Sequence, residues 1–198
     1  MNDNTKTILK GLGIGLAILG GLIGIVVISK KANAQQSGSD VEDKNLNIII
    51  GDSQTPFITR QSQKITMLGS TGGEQNLWLG GMGLKWLKNA VAKYPVTKKI
   101  KNVVINIGTN GGFSKSDDIK GLVGEIKRVF PSAKLFVVQG SWGWGGNAGT
   151  SSATVKAYYD RFANEGVKVI NPPIGVVADP HGNLPIYVEI GRSIDSII

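Results

Sequence analysis

The chain has 198 residues, a net charge of +8, 41% hydrophobic residues and no cysteine. That length suits one folded domain with an appendage, and the missing cysteine excludes disulfides and thiolate metal centres. The basic excess comes without a nucleic-acid-binding motif or aromatics interleaved with the lysines, so nucleic acid is not an expected partner.

From Gly11 to Ser29 no residue is charged. Nineteen residues rising 1.5 Å each span roughly 30 Å, the thickness of a bilayer's hydrocarbon core. The sequence therefore predicts a transmembrane helix over about residues 8–29, within an N-terminal anchor of residues 1–31, and the lipid bilayer as its partner. Ala32-Asn33-Ala34 has the look of a signal-peptide cleavage site, but the apolar run is long for a signal core and Lys30 and Lys31 intervene, so a retained anchor is the expectation. Lysines flank both ends, so the positive-inside rule does not orient the segment. A single-pass anchor with the domain on the extracytoplasmic side is the working assignment. Gly11/Gly15 and Gly20/Gly24 have the small-xxx-small spacing that permits helix self-association in lipid.

Residues 32–45 are small, polar and charged, and read as a linker. The domain proper, 46–198, then alternates. Leu46–Ile50 is a β-branched apolar run ending at Gly51, which suits a buried strand. Ile65–Leu68 is a weaker second strand, and residues 76–92 carry helical spacing with Leu77, Leu84, Leu87 and Val91 on one face. Val103–Ile107 is a third strand. Residues 116–130 read as a helix with Ser116 as its cap and Pro131 beyond its end. Leu135–Val138 is a fourth strand, 154–164 a helix, Val167–Ile170 a fifth strand, and 184–198 a closing helix. The alternation predicts an α/β three-layer sandwich around a five-stranded parallel sheet. Between Glu74 and Asp117 no acidic residue occurs, while Lys85, Lys88, Lys93, Lys98, Lys99 and Lys101 all fall there. A solvated helix face explains most of this; attraction to an anionic surface is the functional reading.

Parallel sheets place ligand sites at the carboxyl ends of their strands. The first strand is followed there by Gly51-Asp52-Ser53, the second by Gly69-Ser70-Thr71-Gly72-Gly73 and the third by Gly108-Thr109-Asn110. After the fifth come Asp179-Pro180-His181, and His181 is the only histidine. A serine nucleophile needs a base that titrates near neutrality, which histidine supplies. Each piece alone is ordinary loop chemistry.

Together and in this order, Gly51-Asp52-Ser53, Gly72, Gly108-Thr109-Asn110 and Asp179…His181 resemble the four sequence blocks of the SGNH/GDSL hydrolases, across the whole of residues 45–198. The resemblance implies the family's flavodoxin-like sandwich, with Ser53 as nucleophile, His181 as general base and Asp179 as the orienting acid. It also implies an oxyanion hole formed by the Ser53 N–H, the Gly72 N–H (or that of Gly73) and the Asn110 side chain. Two departures stand out. Gly111 replaces the Asp usual after the third-block Asn, and Asp179 precedes His181 by two residues instead of three. Tyr187 matches an aromatic packing position of the family.

Trp142 and Trp144, in the Gly-rich stretch 141–149, are candidate substrate contacts. The implied reaction is ester hydrolysis through an acyl-enzyme, with no metal and no organic cofactor. The expected substrate is an acyl ester, such as O-acetyl, on a cell-envelope glycan or a lipid. The alternative is a catalytically inactive membrane protein of the same fold with a structural or binding role, for example in a virus particle containing a membrane.

Overall fold

The computed structural model describes residues 46–68, 76–174, 177 and 181–198. The expected membrane anchor and linker lie outside them. Among the described residues, no helix is long and apolar enough to cross a membrane.

The first strand, β1 (Asn47–Gly51), is buried at all five positions. It is followed by α1 (Thr55–Gln61), β2 (Thr66–Met67), α2 (Leu84–Lys93), β3 (Asn102–Asn106), α3 (Ile119–Val129), β4 (Lys134–Val138), α4 (Ser152–Asn164), β5 (Lys168–Ile170) and α5 (Leu184–Asp195). The strands form one sheet of order β2-β1-β3-β4-β5, and every neighbouring pair is parallel. β-branched residues dominate because both faces of the sheet are covered, so each strand reads as a continuous apolar run.

Side chains alternate between those faces. Ile48, Ile50, Val103, Ile105, Leu135 and Val137 pack toward Leu87 and Val91 of α2, Leu122 and Ile126 of α3, and Val155 and Phe162 of α4. Ile49, Val104, Phe136, Val138 and Ile170 face the other way, onto Ile58 of α1 and Ile186, Ile190 and Ile194 of α5. The result is the three-layer arrangement expected from the sequence, with α2, α3 and α4 on one side and α1 and α5 on the other.

Two elements differ from expectation. The helix anticipated from residue 76 begins only at Leu84. Gly80, Gly81 and Gly83 weaken helix propensity there, and Gly81 takes a positive φ of 73°. The preceding residues instead lie extended against β1: Gly51 N donates to Leu77 O at 2.9 Å and Leu79 N to Gly51 O at 3.1 Å. Leu77 is buried all the same, so its apolar character belongs to a sheet-side segment, not a helix face. The second difference is a cap. Asp118, not Ser116, caps α3, its Oδ1 accepting from Gly121 N at 2.9 Å. Asp118 stands one residue before the first helical position, where a carboxylate reaches the free N–H groups.

Candidate active site

The site begins with the close approach of β1 to β3. Gly51 pairs with Asn106 and has φ of 151°, and a Cβ there would sit 1.9 Å from the Asn106 carbonyl oxygen. Only glycine fits. The chain then turns: Asp52 N donates to Asn106 O at 3.1 Å, and Thr55 N closes back on Asp52 O at 3.1 Å. This turn lifts Ser53 to the rim between β1 and α1, half-buried.

Asp52 points inward. Its Oδ1 accepts from Gln54 N at 3.0 Å and from Asn106 Nδ2 at 2.9 Å. Its Oδ2 is buried and has no hydrogen-bond partner among the described residues. Burial pushes the carboxyl up to about 7, against the pull of the Gln54 N–H, the His181 charge and the Asn106 amide. An anion in that spot lacks solvent and half its usual acceptor contacts, so the neutral acid is favoured. Asp52 thus braces the turn that carries Ser53 from the buried side.

His181 comes in from the far end of the chain. Its Nε2 lies 2.9 Å from Ser53 Oγ, across 128 residues of sequence. Its ring has the Phe57 ring on one side, centroids 6.0 Å apart and planes at 78°, and that of Trp144 at 5.5 Å and 90°. Phe57 in turn stacks on Tyr187 at 5.1 Å, and Tyr187 is buried in the α5 packing. These edge contacts suit aromatic quadrupoles and hold the imidazole in place.

Asn110 sits in a short 3-10 turn, Thr109–Gly111, directly after β3. Its side chain is at the surface, with Nδ2 donating to Met82 O at 3.2 Å. The Met82 segment is the same one that brings Gly80 over the serine: a Cβ on Gly80 would be 3.7 Å from Ser53 Cβ. Asn110 and Ser53 therefore both border the segment 79–83, which turns at Gly80-Gly81. Asp179, Gly72 and Gly73 lie outside the described residues.

The two tryptophans have different surroundings. Trp142 is packed into the core with 6% exposure and forms one wall of a cavity of about 420 Å³ shared with Gln139, Ser152, Lys156 and Asn171. Trp144 stands at His181. Asn147 fixes this loop, accepting at Oδ1 from Gly143 N and Trp144 N at 2.6 and 2.9 Å and donating from Nδ2 to Thr109 O at 3.2 Å. One buried amide so ties the loop after β4 to the loop after β3.

Sequence reasoning missed Asp52, Asn106, Phe57 and Asn147. Asn106 did leave a signal, as the single polar residue in the run Val103–Ile107. Nothing comparable marks Phe57 or Asn147. Among the described residues, no three His, Cys, Asp or Glu side chains cluster as a metal site.

Comparison with known proteins finds no matching family model and no matching curated protein. Solved structures do match. A candidate platelet activating factor from Streptococcus pneumoniae is similar over 91% of this chain and 98% of its own, with 13% identity and a TM-score of 0.51. A member of the lipolytic G-D-S-L family from Veillonella parvula is similar over 77% of this chain and 97% of its own, with 14% identity and a TM-score of 0.48. The OSK domain of Drosophila Oskar is similar over 69% and 74%, with 15% identity and a TM-score of 0.42. At such identities the likeness is one of fold alone.

Proposed function

We propose that the chain is a serine ester hydrolase held at a membrane by its N-terminal segment. One observation carries the chemistry: the only histidine of the chain places Nε2 2.9 Å from the hydroxyl of a serine at a strand end. A serine hydroxyl is a poor nucleophile until a base within hydrogen-bond reach takes its proton.

In the first half-reaction Ser53 Oγ attacks the ester carbonyl carbon while His181 Nε2 accepts the hydroxyl proton. The carbonyl π electrons move to oxygen, and the tetrahedral oxyanion is met by the Ser53 N–H, the Gly72 N–H and the Asn110 amide, as the family resemblance implies. Asn110 Nδ2 exchanges its present acceptor, Met82 O, for that oxyanion. Collapse breaks the bond to the alcohol oxygen, which leaves with the proton from His181. Water then repeats the sequence on the acyl-Ser53 ester, and the carboxylic acid departs. Asp179 orients the imidazole. Trp144, beside the His181 ring, offers a flat surface to the substrate. The favoured substrate is an acyl ester on a cell-envelope glycan or lipid, reached from the extracytoplasmic side.

The test uses a fluorophosphonate probe and a short-chain nitrophenyl ester. Wild-type protein is labelled and turns over the ester; folded Ser53→Ala protein does neither. Failure of wild-type protein to react with either reagent, or equal labelling of Ser53→Ala, removes the reading.

A further inference from the structure

All five strands run the same way, so the sheet has one edge of carboxyl ends, carrying Ser53, and an opposite edge of amino ends. Five residues at ~3.3 Å each separate the two by roughly 17 Å. The amino edge is basic. Lys98, Lys99 and Lys101 lie in the loop entering β3, Lys134 is the first residue of β4, and Lys168 is the first of β5. All five are exposed, and among the described residues none of them forms an ion pair.

Of the acids near this edge among the described residues, Glu125 pairs with Arg128, while Asp195, which accepts from Ser62 and from Gln63 N, and Glu165 before β5 stand against five lysines; in the sequence Asp40, Glu42 and Asp43 also precede Leu46. The helix dipole accounts for basic residues in last helical turns, such as Lys93 and Arg128. It does not account for lysines in a loop and at strand starts. This edge absorbs part of the acid-free lysine run whose use the catalytic site leaves unexplained.

A second observation bears on what covers it. The chain enters the domain on this same edge, at Leu46, whose carbonyl accepts from Lys101 N at 2.7 Å. Only the fourteen residues 32–45 separate that point from the Lys30-Lys31 end of the apolar run. Fourteen residues at random-coil dimensions would span ~20 Å, while charge attraction to a surface fades over ~8 Å at physiological salt. Linker reach and lysine placement therefore favour the same side of the domain.

We propose that the amino edge of the sheet, through Lys98, Lys99, Lys101, Lys134 and Lys168, seats the domain on an anionic phospholipid surface and turns the Ser53 rim toward water. The proposal builds on the membrane tethering above, but the face is read independently of it. It makes the substrate an ester presented from the aqueous side, such as one on a polymer, not one held in the bilayer under the domain.

The experiment uses the full chain on vesicles of phosphatidylcholine, with or without phosphatidylglycerol. Because the chain has no cysteine, Val96→Cys on the lysine edge and Ala148→Cys on the opposite rim each give one dye position; both sites are exposed. Energy transfer to a lipid acceptor is expected to be strong from residue 96 and weak from 148 on anionic vesicles, and to even out in high salt. At about fivefold per lysine, Lys99→Glu, Lys101→Glu and Lys134→Glu together lower the docked-to-undocked ratio roughly 100-fold or more. The charge-matched triple Lys85→Glu, Lys115→Glu and Lys120→Glu, at the opposite ends of α2 and α3, leaves it nearly unchanged. Equal loss in both triples, equal transfer from the two dye positions on anionic lipid, or binding to a soluble acidic polysaccharide in place of vesicles overturns the proposal. Loss of tethering shows separately, as chain that leaves phosphatidylcholine vesicles but still docks on anionic ones through residue 96.

Discussion

Asp52→Asn is expected to make the domain more stable at pH 8 and to flatten its pH dependence. The carboxyl has an ordinary value of 3.8 and is pushed up to about 7 in the folded protein. Between those limits the folded state keeps a proton that the unfolded chain has released, so stability falls as pH rises from about 4 to about 7 and levels off above. At about 1.36 kcal/mol per pH unit, moving from 3.8 to about 7 removes roughly 4 kcal/mol by pH 8. Asparagine never ionises, and its Oδ1 can keep both bonds, from Gln54 N and Asn106 Nδ2. Its Nδ2 takes the place of Oδ2, which has no partner among the described residues. The neutral acid leaves one donor unmatched there and the amide two, so only part of that cost is common to the variant and the protonated wild type. The assay is urea unfolding of residues 42–198, the compact unit to which every described residue belongs, followed by tryptophan fluorescence at pH 5 and pH 8. The gap between the two proteins should widen by about 2.6 kcal/mol from pH 5 to pH 8, with the variant the more stable at pH 8. Parallel pH profiles would show that Asp52 does not carry the buried proton.

Gly51→Ala is expected to lose about 3 kcal/mol or more, or to fail to fold, because a Cβ there meets the Asn106 carbonyl at 1.9 Å in a backbone conformation with φ of 151°. Denaturant midpoints check this, and a change within about 0.5 kcal/mol, the range of neutral surface substitutions, would mean that β1 and β3 approach less closely. His181→Ala should lower ester turnover about as much as Ser53→Ala, since groups that act as a unit fail together. Asp179→Asn should cost less, on the order of 10- to 1000-fold against the ~10⁴ of a tightly coupled triad acid. Equal defects for the two variants in kcat on one ester would make Asp179 a full partner despite its spacing.

Much of the sheet was readable because its physics is local. Ile48-Ile49-Ile50 and Val103-Val104-Ile105 must be buried on both faces, and a continuous β-branched run has few other uses in a chain of this size. Gly51 and Ser53 are legible because they end such a run, and the family resemblance joins Ser53 to His181. The misreading at residues 76–83 has the opposite cause. Leu77 fits a helical stripe by spacing, but its neighbours include three glycines, and the tertiary bonds between Leu77, Leu79 and Gly51 favour the extended form.

The supports of the site escaped for a related reason. Asp52 reads as a loop acid beside a serine; only the fold shows that β3 passes close enough for Asn106 to meet it. Asn147 reads as one polar residue in a glycine-rich loop, and its role depends on the turn after β3 lying within 3.2 Å of it. Phe57 looks like the apolar side of a short helix until His181 arrives from 124 positions later in the sequence to lie against it. Residues that do chemistry sit where strands end, and strand ends are marked by local patterning. Residues that hold them in place are defined by contacts between distant loops, which no periodicity within a single segment encodes.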